Sequence, residues 1–397
     1  MRRSLWTLYA SQVVMIAGIA LSFPFFALYL NKERGLPMGT VGILLCASLL
    51  LSGLSHGLGG ELSDRLGRRA VMLGAMWSRT ALIALLGAAV QGGWPLGAVV
   101  AIHFAASFVG NFFPPAARSW IADHCVPTRR VEAYGWLRVA GNLGWAIGPA
   151  LGGFLAERSY ARMFFATSAF CSVCGVLLAL GLRDKEGFQR SESFSASGLF
   201  STASDPKFLR FGLCALLLTA VMAQMVVPLS VHAVTYAGLS ESQVGLLFSL
   251  NGSVVVATQF LGARLLKNAP QSRVLAWGSL LYAFSYATVG FLRGFPALAG
   301  AMVAISLAEV AVSPALQTLS ANLAPQGLQG RFTGLSGMME HVGMAAGPLL
   351  GGFFQQHLSP TWPAAPWLLI GGVGVLASAG FLALGPRLSA REQGLED

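Results

Sequence analysis

Two carboxylates interrupt long apolar runs of this chain. Glu309 lies in SLAEVAVSPALQTL and Glu340 stands beside His341. An ionisable group inside a membrane-length run is costly to keep there and usually has a task. A carboxyl that two conformations solvate differently can take up a proton in one and release it in the other. That chemistry makes Glu309 the first candidate for proton coupling, then Glu340 with His341. The ordinary alternatives are a static hydrogen-bonded acid or direct substrate contact for Glu309, and a structural pair for Glu340. Arg138 interrupts another apolar run, one turn before a glycine series. It can balance an acid or hold water, or it can snorkel toward the inner surface. Arg79 reads as structural, and His56, His103 and His232 as polar packing residues.

Other chemistry is missing. There is no GxxxxGK[ST] loop and no HExxH, so neither an ATP-driven motor nor a zinc hydrolase has a visible site. Cys171 and Cys174 form a CxxC in the middle of an apolar run, with no second pair. They read as small packing residues rather than as metal ligands. No metal and no cofactor is expected. The energy source would be a proton gradient.

The elements that must hold these groups follow from composition. The 397 residues are 55% apolar and 11% charged, with mean hydropathy +0.64. Soluble domains carry about 25% charged residues. Apolar runs fall near 5–30, 38–60, 70–91, 95–117, 133–156, 161–182, 208–230, 242–263, 273–292, 296–318, 332–354 and 365–385. Each is close to the roughly 20 residues needed to cross a bilayer as a helix. The first run is too long for a secretory signal, whose apolar region spans about 7–15 residues. With the N-terminus inside, inner segments hold 19 Lys and Arg and outer segments hold 5. That bias places both termini in the cytoplasm. The net charge of +10 therefore reports topology and the lipid bilayer as partner, not nucleic acid. Residues 183–207 are charged and Ser-rich and divide the spans six and six. The expected domains are an N-terminal six-helix bundle (1–182), a cytoplasmic linker (183–207) and a C-terminal six-helix bundle (208–397).

A repeat joins the two halves. Gly135, Gly144, Gly148, Pro149, Gly152 and Gly153 of span 5 recur as Gly334, Gly343, Gly347, Pro348, Gly351 and Gly352 of span 11, each shifted by 199 residues. The same shift carries Pro115 to Pro314. Small residues at every fourth position let two helices approach closely. Generic small-residue packing explains Gly-x3-Gly alone, but not the whole pattern twice in register. Parallel repeats of this kind are a transporter architecture with the substrate site between the halves.

The span-5 string resembles the antiporter signature of drug/proton exporters in the major facilitator superfamily. A second string, GGELSDRLGRRAVML (59–73), is similar to the superfamily's loop motif at Gly60, Asp64, Arg65, Gly67, Arg68 and Arg69. The resemblance covers nearly the whole chain. It implies an all-α polytopic fold of twelve transmembrane helices in two pseudo-symmetric six-helix bundles. It also implies that Asp64 meets span 11 and helps latch the cytoplasmic side; Asp123, at the inner end of span 4, is a candidate partner for Arg68 or Arg69 by its position. In the second half the equivalents of Asp64 and Asp123 are Ala263 and Asn322, while Arg264 and Lys267 keep the positive charge. The inner gate should therefore be asymmetric. The superfamily's cavity-lining spans would present Phe23, Phe25, Phe26, Asn111, Phe112, Gln224 and Met225. Such an aromatic, Met-rich wall suits bulky apolar or cationic molecules. Two departures stand out: no Arg in the middle of span 4 and no acid in span 1.

The expected function is proton-coupled export of amphipathic or lipophilic small molecules by alternating access, by a monomer in a bacterial inner membrane. A lipid or glycolipid flippase, or another small-metabolite transporter of the same fold, is the alternative. A non-transporting sensor fits less well, since it has no need of a latch.

Overall fold

Backbone N–H and C=O groups in hydrocarbon must be satisfied within the segment, which forces helices on a chain of this composition. The computed structural model describes residues 2–125, 127–183, 206–266, 268–323 and 329–395, and helix is the only regular structure among them. The helices are α1 (Arg2–Leu28), α2 (Met38–Leu66), α3 (Arg68–Gln91), α4 (Leu96–Gly110), α5 (Phe113–His124), α6 (Pro127–Arg158) and α7 (Tyr160–Gly181). They continue as α8 (Pro206–Met222), α9 (Val227–Thr235), α10 (Glu241–Leu266), α11 (Gln271–Val289), α12 (Gly294–Asn322), α13 (Gln329–Leu358) and α14 (Ala365–Leu384). The expected linker falls, from 184 to 205, outside the described residues.

Among the described residues, ten helical stretches are long and apolar enough to cross a membrane. The other two expected runs coincide with α11 and α13, helical over 19 and 30 residues. Ser and Tyr in α11, and Gln, His and Glu in α13, dilute their apolar character. Many helices extend past the apolar runs, because polar residues such as Asp64 and Glu157 continue them beyond the hydrocarbon.

Two helix breaks fall next to prolines. The tandem Pro114–Pro115 removes two successive N–H donors, and the fourth span divides into α4 and α5 at Asn111–Phe112. Asn111 secures the break, its Nδ2 donating to the Ser107 carbonyl at 2.7 Å. In the seventh span a 3-10 turn at Ala223–Met225 separates α8 from α9, whose first turn carries Pro228. Single prolines at 24, 149, 314 and 348 stay inside continuous helices.

The helices gather into two compact units. The first contains Met1–Gly35, Leu50–Glu192 and Leu239–Ser253; the second contains Leu36–Leu49, Ser193–Gly238 and Val254–Asp397. In the first unit α1 packs on α6 and α7, and α3 packs on α4, α5 and α7. In the second unit α8 packs on α13 and α14, and α11 packs on α12 and α14. These partnerships correspond under the sequence repeat: the packing of span 1 on 5 and 6 reappears as span 7 on 11 and 12. Part of the first core is built from Met72, Met76, Phe113 and Trp120, all fully buried.

Candidate functional site

The glycine series of α6 lies against α1. A Cβ on Gly144 would come within 2.6 Å of the Val13 carbonyl, and one on Gly148 within 2.9 Å of Ala20 Cβ. At Gly152 it would overlap the Leu21 carbonyl. In α13 the same positions lie against the seventh span. Gly343 faces Leu216 and Thr219, Gly347 faces Ala220 and Ala223, and Gly351 faces Gln224 and Pro228. The second glycine of each closing pair faces a different helix. Gly153 meets Glu241 of α10, and Gly352 meets Met38 and Gly42 of α2. Reciprocally, a Cβ on Gly245 would stand 3.2 Å from Ala150 Cα, and one on Gly42 3.2 Å from Leu349 Cα. Gly135 has nothing within 4 Å of its Cβ position, so it is not part of the contact stripe. The surroundings of Gly334 lie outside the described residues.

At the inner loop one residue, Gly67, connects α2 to α3 with φ +96, a backbone conformation open to glycine and strained for other residues. The turn sets Arg68 at the start of α3. Its Nε donates to Asp123 Oδ2 of α5 at 3.0 Å, and its Nη1 to Ser63 Oγ at 2.8 Å. Arg69 donates to the Ala179 carbonyl of α7 at 2.8 Å. Ser63 Oγ donates to the Gly60 carbonyl, and Arg65 is exposed. The structure thus pairs Asp123 with Arg68 and sends Arg69 to a helix C-terminus, where a cation complements the backbone dipole. The side chain of Asp64 lies outside the described residues.

Glu309 of α12 is half-buried, close enough to Tyr282 and Tyr286 of α11 for its charge to act on both. Those rings stack at 6.0 Å and 7°, and Tyr286 stacks on Trp367 of α14 at 6.0 Å and 13°. Trp367 Nε1 donates to His232 Nδ1 at 2.9 Å. An aromatic column within the second unit thus lies within electrostatic reach of Glu309. Glu340 is half-buried on α13 and His341 is exposed, its Nδ1 bonded to the Gly337 carbonyl of its own helix at 2.8 Å. Arg138 is exposed on α6.

The expected cavity residues divide. Phe25 and Phe26 are 0% and 1% exposed, and Phe26 stacks on His103 at 3.9 Å, so both belong to the packed interior of the first unit. Gln224 is buried and spends its Nε2 on the Ala220 and Gly347 carbonyls, at 2.9 Å each. Phe23, Asn111, Phe112 and Met225 remain partly exposed. Asn111 Oδ1 meets His56 Nε2 at 3.3 Å, and Phe112 packs edge-on against Phe108.

Two polar clusters went unread in the sequence. Lys32, in the π-helical turn after α1, donates to Glu241 Oε1 at 2.6 Å, and Tyr160 OH reaches the same oxygen at 3.4 Å. The partners are 209 residues apart. Only the rarity of charge in the outer segments signals them. The second cluster is the C-terminal segment. Gln393 accepts from the N–H groups of Gln271 and Ser272 at the start of α11, while Glu392 pairs with Lys207 at 3.2 Å and accepts from Asn322 through its carbonyl. Where Asp123 grips a basic loop in the first half, its repeat equivalent Asn322 holds this segment.

A helical membrane protein made of two equivalent packing patterns, with ionisable groups held inside its spans, has the architecture of a multi-pass transporter. The family model for the Major Facilitator Superfamily matches residues 8–237 and 212–397, and the chain belongs to that superfamily. It is 25% identical over 366 residues to the MFS-type transporter YttB of Bacillus subtilis (strain 168), covering 90% of this chain and 89% of that one. It is 25% identical over 383 residues to multidrug resistance protein MdtH of Salmonella paratyphi B, covering 95% and 92%. Among solved structures, a POT family transporter in complex with 5-aminolevulinic acid shares the fold, with a TM-score of 0.83 at 13% identity over 97% and 96% of the two chains.

Proposed function

We propose that this transporter is a proton-coupled exporter of amphipathic or lipophilic small molecules, working as a monomer by alternating access in a bacterial inner membrane. The observation that carries the reading is the antiporter-type glycine series, present twice, with each copy brought to backbone contact with a helix of the same rank in the repeat. Similarity to a multidrug resistance protein along 95% of the chain supports the same direction of transport. Glu309 is the proton carrier in this reading. It is half-buried in a membrane span, and the tyrosines beside it give it an environment that repacking of α11 on α12 would change. Glu340 is the second carrier candidate. Arg68–Asp123 at the inner loop and Lys32–Glu241 at the outer end of α1 are the contacts that alternate, since a gate needs discrete arrangements that form and break.

Proton flux into proteoliposomes containing the purified chain, driven by a panel of lipophilic cations, tests this. Substrate-dependent proton movement in the wild type that disappears in Glu309→Gln is the expected result. Loss in Glu340→Gln alone would move the carrier to α13. An absence of proton movement with every compound, while labelled lipid still crosses the bilayer, would replace the exporter reading with a flippase.

A further inference from the structure

Glu241, the first residue of α10, holds its carboxylate almost out of solvent, with the side chain 8% exposed. Its Oε1 accepts from Lys32 Nζ at 2.6 Å and from Tyr160 OH at 3.4 Å. The floor beneath is aromatic. Tyr160 and Tyr29 are buried, their rings meet at 5.5 Å, and Tyr29 meets Phe164 edge-on at 6.4 Å. All of these residues belong to the first unit. A carboxylate buried on such a floor needs a cation, and here the cation is a tethered one.

Lys32 is in a different position. Its side chain is 54% exposed, so the carboxylate is approached from solvent along the lysine stem and not from the protein interior. The neighbouring Arg34 is committed elsewhere, its Nε donating to Tyr29 OH and its Nη2 to the Trp94 carbonyl, each at 2.6 Å. Lys32 sits in the π-helical turn Tyr29–Glu33, where the Arg34 N–H donates at 3.1 Å to the Tyr29 carbonyl five residues back. Single π turns are rare and collect at functional sites. Rewinding this one to α geometry would turn Lys32 by roughly 100°, the angle of one residue, and carry its ammonium away from Glu241. The carboxylate and the phenol would stay where α10 and α7 hold them.

We propose that Glu241 and Tyr160 form an outer station for the primary ammonium group of an amphipathic amine, with Lys32 as the built-in competitor that displaces it. The lysine side chain is itself an alkylammonium ion, so it marks both the place and the chemistry of the ligand. The three N–H donors of such a head match the Glu241 oxygens and the Tyr160 oxygen. A neutral head leaves the carboxylate without a counter-charge, and a quaternary one brings charge without donors. The station rests on the reading of an alternating-access transporter and narrows its cations to amines that carry N–H. Binding itself needs neither transport nor proton coupling. Proton flux without amine binding would therefore remove this station alone, and amine binding without proton flux would remove the coupling alone.

The test uses the full chain in detergent. Its thermal unfolding midpoint is followed against phenethylammonium at constant ionic strength, with phenethyl alcohol and phenethyltrimethylammonium as controls. The wild type should show a saturable rise that diminishes in Glu241→Gln. In Lys32→Ala the half-saturating concentration should fall by at least about tenfold, because a tethered competitor acts at an effective concentration of order millimolar. Adding Glu241→Gln to Lys32→Ala should abolish that gain. The alcohol should give no rise, and the quaternary ion a weaker one. If Lys32→Ala does not fold, Lys32→Gln removes the charge while keeping a stem, and the same gain is expected. No gain on removal of the lysine charge, or a gain that survives Glu241→Gln, would overturn the proposal. Equal binding of the quaternary ion would overturn recognition through N–H, and a response confined to the Lys32 variants would overturn displacement.

Discussion

Glu241 and Asp123 each hold one cation, but they differ in how far they have left solvent. The Glu241 side chain is 8% exposed while its partner Lys32 is 54% exposed; Arg68 is 10% exposed while its partner Asp123 is 39% exposed. In each pair one member stays in contact with solvent, so the ion pair itself should contribute no more than about 1 kcal/mol. Glu241→Gln keeps an acceptor for Tyr160 and should lower the thermal midpoint only slightly. Glu241→Leu leaves the Tyr160 hydroxyl without that acceptor and should cost about 1–3 kcal/mol, read as a clearly larger drop in midpoint. Equal effects from the two substitutions would show that the Tyr160 contact contributes nothing. Asp123→Asn should weaken the Arg68 contact without unfolding α5, because Arg68 retains Ser63 as a partner. The Arg68–Asp123 contact was legible in the sequence, since the loop motif places the arginines at the inner start of span 3 and Asp123 stands at the inner end of span 4. Lys32–Glu241 was not legible, because no local spacing relates residues so far apart.

At the scale of the element, the glycine stripe makes a sharp distinction between neighbours. Gly148→Val would drive side-chain atoms into Ala17 and Ala20 of α1. It should destabilise by about 1–3 kcal/mol through overpacking, or move α6 away from α1. Gly135→Ala, on the same helix, meets nothing within 4 Å and should be neutral or stabilise by up to about 1 kcal/mol through helix propensity. Thermal midpoints of the two variants, compared with the wild type, check the pair of expectations. If both behaved alike, close approach of α6 to α1 would not be what the stripe provides. The apolar runs placed the membrane-length helices among the described residues near their observed positions, because such a run has few other solutions. They missed the divisions at Asn111–Phe112 and Ala223–Met225. Proline alone does not signal them, since Pro149 and Pro348 sit in unbroken helices. What differs is a tandem pair of missing donors at 114–115, and a 3-10 turn before Pro228.

For the whole molecule, the 199-residue repeat carries the packing partnerships, while the inner side of the two halves differs. The first half closes its inner loop with Arg68 and Asp123, whereas the second half brings the segment after α14 to Asn322, Lys207 and the start of α11. The loss of both acids from the second half was visible in the sequence; their replacement by a distant polar segment was not. Burial pushes the Glu392 carboxyl up, but the bonds from Ser389 and Lys207 outweigh it and hold it below its ordinary 4.5. A carboxyl lowered on folding stabilises the fold above its unfolded value, and that contribution disappears as pH falls through the lowered one. The midpoint difference between wild type and Glu392→Gln should therefore be constant at neutral pH and shrink once the pH drops below about 4.5. A difference that grew on acidification would contradict the arrangement.

Gln393 fills the otherwise open N–H groups of α11, so the segment after α14 works as a stopper for a helix more than a hundred residues before it. Anyone joining a fluorescent reporter or purification handle close behind it would be pulling on that stopper. A localisation or abundance measured through such a fusion would report a loosened second unit.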